Sequence, residues 1–136
     1  MFDIKVINEI IEIVKLANEE ILKIYSKNFK VKYKDDKSPL TEADLLSNKI
    51  ICDYLKTLNV PIISEENKQI LYEDRKNWDL CFLVDPIDGT KEFIKKNGQF
   101  TTNIGIIKNG EPIYGFVGIP VEKKIYFGGL LYGGFC

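Results

Sequence analysis

The chain contains no histidine among its 136 residues. Histidine is the side chain whose unperturbed charge changes near neutral pH, and it activates many serine and cysteine nucleophiles. Its absence excludes Ser-His-Asp and Cys-His systems, imidazole general bases and histidine metal ligands. Any acid–base or metal chemistry must therefore be carried by carboxylates and hydroxyls.

Cysteine is scarce as well. Cys52, Cys81 and Cys136 lie far apart, and no two of them form a C-x-x-C pair. This spacing argues against a disulfide framework and against a zinc ribbon. We expect reduced cysteines, with the first two in the core.

Long apolar runs and net charge are also missing. No stretch approaches the roughly 20 apolar residues that span a bilayer, and the N-terminus lacks a signal-peptide layout, so we expect a cytoplasmic protein without a transmembrane segment. A formal net charge of -1 provides no field that would attract a nucleic acid polymer. With 45% hydrophobic and 29% charged residues, residues 1–136 are expected to form one domain with a core.

The most informative stretch is Asp-Pro-Ile-Asp-Gly-Thr at 85–90, which follows the apolar run 80–84. The short run predicts a strand buried on both faces, ending at Asp85 because Pro86 directs the chain away from the sheet. Gly89 permits a backbone geometry that a β-carbon would forbid, so Asp88 is expected to fold back toward Asp85. A helical turn predicted after Gly89 would present free N–H groups to a phosphate.

Other interpretations of this turn remain open or fail on spacing. A D-P-x-D-G turn is by itself more often structural than catalytic. An EF-hand loop needs glycine at its sixth position, whereas counting from Asp85 the glycine comes fifth. Phosphatases of the haloacid dehalogenase type carry two aspartates two residues apart, but Asp85 and Asp88 are three apart, which leaves that class as an outside alternative.

A second acidic group follows another apolar run, since residues 60–63 lead into Ser64-Glu65-Glu66. If this run forms a strand beside 80–84, Glu65 is brought to Asp85. Clustered carboxylates repel one another, and binding of a hard divalent cation is the simplest way to offset that repulsion. Alone, Glu65 and Glu66 would more often form the acidic first turn of a helix.

The rest of the chain predicts an α+β fold with helices packed on a largely antiparallel sheet. Two amphipathic helices are expected, at 2–25 and from Thr41 to about 58, and the Thr41/Asp44 spacing of a capping box alone favours a structural role for Asp44. Short strands at 29–33 and 125–127, a polar connector at 67–79, and a hairpin with its turn at Asn109-Gly110 complete the pattern.

The tail at 128–136 is apolar and rich in glycine. Several of its apolar side chains have no predicted element to pack against, namely Leu130, Leu131, Tyr132 and Phe135. This predicts missing chain or a partner, with a homo-oligomer as one alternative.

Three ordered motifs together resemble a known family. Residues 38–44 (SPLTEAD), 64–66 (SEE) and 83–93 (LVDPIDGTKEF) are similar to the magnesium-dependent, lithium-sensitive phosphatase superfamily of inositol monophosphatase and fructose-1,6-bisphosphatase. Ser64, Lys91-Glu92-Phe93 and the segment 97–104 resemble its 3′(2′),5′-bisphosphate nucleotidase branch, the CysQ type. The resemblance covers essentially the whole chain but about the first half of the family's length, so residues 1–136 are expected to be the N-terminal domain of the layered α/β/α/β/α fold. In that family, the C-terminal half, which the resemblance does not cover, supplies a further metal-binding aspartate.

The resemblance implies roles for individual residues. Glu65, Asp85 and Asp88 match metal-ligating carboxylates, and Ile87 matches a position whose backbone carbonyl also binds the metal. Glu65 counts among the catalytic residues for the same reason.

The other implied roles concern the substrate and the attacking water. Asp88, Gly89 and Thr90 match the substrate-binding turn. Asp44 and Thr90 match the pair that orients and deprotonates the water.

The expected activity of the intact protein is hydrolysis of a small-molecule phosphate, 3′-phosphoadenosine 5′-phosphate, to AMP and phosphate. The resemblance implies two or more Mg²⁺ ions, with Mn²⁺ as a substitute and Li⁺ as an inhibitor. The alternatives are an inositol-phosphate or sugar-phosphate phosphatase of the same superfamily, or a non-catalytic metal- and phosphate-binding remnant.

Overall fold

The structure is a computed structural model that describes residues 3–129 and the backbone of residues 133–135. The helices are α1 (Ile4–Tyr25), α2 (Glu42–Leu55), α3 (Tyr72–Arg75) and α4 (Thr90–Lys95), with a 3₁₀ turn at Lys56–Leu58. The strands are β1 (Val31–Tyr33), β2 (Pro39–Thr41), β3 (Ile62–Ser64), β4 (Leu80–Asp88), β5 (Thr101–Lys108), β6 (Glu111–Ile119), β7 (Lys124–Gly129) and β8 (Gly133–Phe135).

The strands form a two-stranded hairpin, β1-β2, and a six-stranded sheet in the order β3-β4-β5-β6-β7-β8. Within the large sheet only β3 and β4 run parallel, and the other neighbours are antiparallel. The predicted α+β class with a largely antiparallel sheet is confirmed. The Asn109-Gly110 hairpin is confirmed too, because both residues have positive φ, 51° and 80°, as a type I′ turn requires.

The helices α1 and α2 pack on one face of the large sheet. The buried stripe of α1 recurs at three- and four-residue steps, as predicted, and meets the inward side chains of the central strands, which include Phe82, Val84, Ile106 and Phe116. A second cluster joins the C-terminal part of α1 to the segment after β4 and contains Ile21, Ile24, Ala43, Ile87, Phe93 and Phe100.

The prediction that the strand at 80–84 is buried on both faces was wrong. Leu83 is 41% exposed, whereas its neighbour Phe82 is fully buried. The two central helices cover one face, so alternate residues of β4 point either into the core or onto an uncovered surface. Cys81 lies on this second face and is half-buried, so only Cys52 of the described pair belongs to the core.

The prediction that the strand ends at Asp85 was also wrong. Strand β4 continues to Asp88, but its pairing with β5 is irregular between Asp85 and Asp88. Pro86 has no N–H to donate to a neighbouring strand, which favours a bulge rather than an end at this point. The chain therefore bends within the strand.

Two further expectations concern the chain ends and membranes. The expected uncovered side chains of the tail, at 130–132 and Phe135, lie outside the residues whose side chains are described, as does Cys136. Within the described residues, no helix combines the length and the apolar character needed to cross a membrane.

Candidate active site

The parallel pairing of β3 with β4 brings the two acidic segments together. Ser64 is the register partner of Val84, so Glu65 follows β3 beside Asp85 on β4. The Glu65 N–H donates to the carbonyl oxygen of Val84 at 3.3 Å and continues the strand pairing by one bond. The predicted adjacency of the two strands is confirmed.

Hydrophobic packing anchors the turn that follows Asp85. Pro86 and Ile87 are buried, and Ile87 packs in the cluster that contains Phe93 and Phe100, while Asp88 is exposed. These two buried residues separate the two carboxylates of the turn. Asp85, before them, is half-buried, and Asp88, after them, is exposed.

Gly89 is required by its backbone and by its surroundings. Its φ of 93° lies in the left-handed region, and a β-carbon would stand 2.9 Å from the Gln99 carbonyl oxygen. Helix α4 then begins at Thr90, as the helical turn predicted from the sequence requires.

Asp85 lies in an unfavourable environment for a carboxylate. Its Oδ1 is buried and has no hydrogen-bond partner among the described residues. Burial raises the pKa of Asp85 to about 7, and the negative charges of Glu65, Asp88, Asp44 and Glu66 add to this effect. A buried, unpaired oxygen surrounded by like charges is costly in free energy unless a cation or proton compensates.

Glu66 is already paired, which distinguishes it from Glu65. Lys34, which directly follows β1, forms an ion pair with Glu66, whose side chain is only 3% exposed. Burial opposes the charge of Lys34, but the hydrogen bond to Glu66 and the charges of Glu66, Glu65 and Asp44 raise the pKa of Lys34 above its usual value. Glu66 is thereby occupied, whereas Glu65 is exposed beside Asp85.

Lys34 is a site residue that sequence reasoning missed. It lies in a segment with several other lysines, and nothing in their spacing separates one from the next. The hairpin fixes it in place, since the Lys34 N–H donates to the Ser38 carbonyl oxygen at 2.8 Å. Only the tertiary structure identifies it.

Asp44 both caps a helix and contacts the turn. Its Oδ2 accepts hydrogen bonds from the N–H and the Oγ1 of Thr41, at 2.9 and 2.6 Å, which completes the predicted capping box. Its Oδ1 accepts a hydrogen bond from Thr90 Oγ1 at 2.8 Å. Asp44 is 3% exposed, and the described hydrogen bonds of its carboxylate are all with Thr41 or Thr90.

The oxygen donors of the candidate site are of the kind that suits a hard divalent cation. In the described part of the chain, no three acidic or cysteine side chains form a group that could hold a metal ion as they stand. The unpaired Asp85 Oδ1 and the exposed carboxylates of Glu65 and Asp88 are nevertheless the kind of ligands that Mg²⁺ takes. Convergence of Glu65, Asp85, Asp88 and the Ile87 carbonyl remains a prediction.

A groove of about 1010 Å³ opens over these residues. Acidic side chains, Glu65 and Asp85, and basic side chains, Lys34, Arg75 and Lys91, line it together with Thr90. A groove that presents both signs of charge fits an anionic ligand bound through a cation.

A model of the inositol monophosphatase family matches residues 4–136. The chain belongs to the inositol monophosphatase family. It is 42% identical over 124 residues to the 3′(2′),5′-bisphosphate nucleotidase CysQ of Escherichia coli strain K12, a match that covers 88% of this chain and 50% of that protein. The chain thus spans about half the length of the curated relatives it matches.

Two solved structures bear on the fold. The crystal structure of CysQ from Bacteroides thetaiotaomicron superposes with a TM-score of 0.79 at 42% identity, covering 91% of this chain and 45% of that one. An inositol monophosphatase/NADP phosphatase complexed with Mg²⁺ and phosphate superposes with a TM-score of 0.84 at 19% identity, covering 97% and 50%. The second likeness shows the fold alone.

Proposed function

We propose that this chain forms the first half of a divalent-cation-dependent phosphomonoester hydrolase that converts 3′-phosphoadenosine 5′-phosphate to AMP and phosphate. The observation that carries the proposal is the hydrogen bond to the buried Asp44 carboxylate from Thr90, which lines the same groove as Asp85. A hydroxyl backed by a carboxylate can take a proton, and the carboxylates provide a place for a cation.

The Thr90–Asp44 pair supplies the proton acceptor. Because Thr90 Oγ1 donates its own hydrogen to Asp44, its lone pairs are free to accept a hydrogen bond from a water in the groove. As that water attacks phosphorus, its proton can pass to Thr90 Oγ1 while the Thr90 proton passes to Asp44 Oδ1. The two Thr41 hydrogen bonds hold the Asp44 carboxylate in the orientation that this transfer needs.

Glu65, Asp85, Asp88 and the Ile87 carbonyl would hold the cations, and Mg²⁺ bound there would neutralise the phosphate oxygens and stabilise the leaving alkoxide. Two or more Mg²⁺ ions are proposed, with Mn²⁺ as a substitute and Li⁺ as an inhibitor. The Lys34 ion pair supports Glu65 over Glu66 as the ligand, because Glu66 is occupied. Gly89 and Thr90, which both line the groove, would contact the phosphate.

The nucleotide substrate rests on the bisphosphate nucleotidase relatives, about 40% identical, and on residues 91–93 and 97–104. The competing substrate class is an inositol phosphate. A protein completed with the second half of its relatives' length should prefer 3′-phosphoadenosine 5′-phosphate over inositol 1-phosphate in kcat/KM. The opposite preference would contradict the nucleotide substrate but leave a phosphatase.

The experiment that tests the mechanism replaces Asp44 by Asn in the completed enzyme. Loss of the proton acceptor should lower kcat by roughly 10²-fold or more at saturating Mg²⁺. The matched control is Asp53→Asn, an exposed carboxylate on the same helix that pairs with Lys49. Wild-type kcat in Asp44→Asn would reduce Asp44 to a helix cap, and binding of Mg²⁺ and phosphate without turnover in the wild type would favour a non-catalytic protein.

A further inference from the structure

One stretch of helix α2 contacts three separate parts of the candidate site. Asp44 accepts a hydrogen bond from Thr90, as described above. Ser47 is fully buried, and its hydroxyl donates to the carbonyl oxygen of Pro86 at 2.9 Å. Asn48, the next residue, reaches the segment after β3. The adjacent residues Ser47 and Asn48 of one helix therefore contact both acidic segments, the one at 85–88 and the one after β3.

Asn48 is the centre of a hydrogen-bond network. Its Oδ1 accepts hydrogen bonds from Ser64 Oγ at 2.5 Å and from Cys52 Sγ at 3.3 Å. Its Nδ2 donates to Asn67 Oδ1 at 2.8 Å, and Asn67 Nδ2 donates to Cys52 Sγ at 3.7 Å. The network links α2 to the residue before Glu65 and to the residue after Glu66.

The backbone between Ser64 and Asn67 is fixed by the same residues. Ser64 Oγ accepts a hydrogen bond from the Glu66 N–H at 3.4 Å, and the Ser64 carbonyl accepts one from the Asn67 N–H at 3.2 Å. With the bond from Glu65 to Val84, the N–H groups of Glu65, Glu66 and Asn67 are all paired. The direction of the Glu65 side chain is thus set by a turn that Asn48 holds at both ends.

We propose that Asn48 is a positioning residue that holds the Ser64–Asn67 turn so that Glu65 stays beside Asp85 for cation binding. This inference rests on the proposed function, since it concerns the same cation. Ser47 complements it by holding the 85–88 segment to the same helix turn. Outer hydrogen-bond partners of this kind orient ligating side chains, and removing one typically weakens metal affinity about 10- to 100-fold.

Packing alone does not explain why a polar residue occupies this position of α2. An apolar side chain on this face of α2 could fill the same space without needing hydrogen-bond partners. Asn48 instead uses its donor and its acceptor on the turn that carries Glu65. A purely structural role would leave cation affinity unchanged once the chain is folded.

The test measures Mg²⁺ binding to the 136-residue chain by titration calorimetry, below the melting temperature of every variant. Asn48→Ala should bind Mg²⁺ about 10- to 100-fold more weakly than the wild type. Amide hydrogen exchange should become faster at Glu66 and Asn67 in the absence of metal, because their turn has lost its anchor. The matched control is Ile51→Val, a core truncation on the same helix that should lower stability without changing Mg²⁺ affinity.

A second variant approaches the network from the turn. Asn67→Ala removes the partner of Asn48, and the double variant Asn48→Ala/Asn67→Ala should bind Mg²⁺ about as weakly as either single variant, because both act through one network. If Asn48→Ala fails to fold, Asn67→Ala alone tests the positioning role.

The outcomes separate the inference from the function on which it rests. Wild-type Mg²⁺ affinity in a folded Asn48→Ala or Asn67→Ala chain would overturn the positioning role alone. An equal loss of affinity in Ile51→Val would overturn it too, because the effect would then follow stability. Failure of the wild-type chain to bind Mg²⁺ would overturn both the positioning role and the proposed cation site.

Discussion

The two faces of strand β4 differ sharply in their exposure to solvent. Phe82 and Val84 point under helices α1 and α2 and are 0% and 4% exposed. Leu83, between them, is 41% exposed, and Asp85 continues that second face into the groove. One strand therefore contributes to the core with one set of residues and to the candidate site with the other.

The difference teaches how a fold can tolerate an uncompensated carboxylate. The covered face is packed with apolar side chains, where a charge could not be solvated. The second face leaves room for ligands, and Asp85 can remain unpaired there at a cost that the core offsets. Stability and function are thus divided between alternate residues, which single substitutions can test.

The largest contrast is expected between Phe82→Ala and Leu83→Ala. Truncating the fully buried Phe82 removes its packing and leaves a cavity, so unfolding free energy should fall by about 3–5 kcal/mol. Leu83→Ala should cost less than about 1 kcal/mol, because much of that side chain is already in water. Chemical denaturation of both variants measures the difference, and equal losses would mean that the second face is covered in solution.

An intermediate contrast concerns two glycines of β6. A β-carbon at Gly118 would stand 2.4 Å from Asn18 Nδ2 and 2.8 Å from Val14 Cγ1, whereas one at Gly115 meets nothing within 4 Å. Gly118→Ala should therefore destabilise by about 1–3 kcal/mol through overpacking. Gly115→Ala should be neutral or stabilise by up to about 1 kcal/mol, because it restricts the unfolded chain.

Thermal melts of the two glycine variants give the comparison directly. Asn18 also accepts a hydrogen bond from Thr102 Oγ1 at 2.9 Å, so displacing it would disturb a second buried group. A Gly118→Ala chain as stable as Gly115→Ala would contradict the tight packing assigned to the covered face.

The smallest change in stability is expected for a substitution of Asp85, and it is a gain where the core substitutions give a loss. Asp85→Asn removes one of several repelling carboxylates, so the metal-free chain should gain about 1 kcal/mol of stability, as functional residues often do on replacement. Mg²⁺ should raise the melting temperature of the wild type by binding the folded state and have a much smaller effect on Asp85→Asn. Asp53→Asn provides the exposed control, and an equal Mg²⁺ response in all three chains would remove Asp85 from the site.

The sequence predicted the elements whose signals are local. The helical periodicity of 4–25, the Asn109-Gly110 turn and the Thr41 cap each depend on residues close in the chain, and all are confirmed. The adjacency of Glu65 and Asp85 could also be predicted, because two short apolar runs each end in carboxylates. These parts follow from propensity and spacing.

Long-range contacts account for what the sequence did not predict. The apolar run at 80–84 contains no sign that Leu83 would lack cover, because that depends on which face the helices occupy. Capping-box spacing alone favoured a structural role for Asp44, and only the family resemblance paired it with Thr90, which lies 46 residues away and donates a hydrogen bond to it. Lys34 and Asn48 were missed for the same reason, since the partners that tie them to the site lie 32 residues along the chain for Lys34 and at least 16 for Asn48.

The candidate site depends on the alignment of β3 with β4, the parallel pair of the large sheet. Side chains alternate between faces at every residue, so a slip of β3 by one position would turn Glu65 away from the groove while barely changing the number of backbone bonds. A chain folded in that alignment would keep its helices and most of its core yet lose its acidic pair. Loss of cation binding would then be a sensitive reporter of misalignment that circular dichroism would scarcely detect.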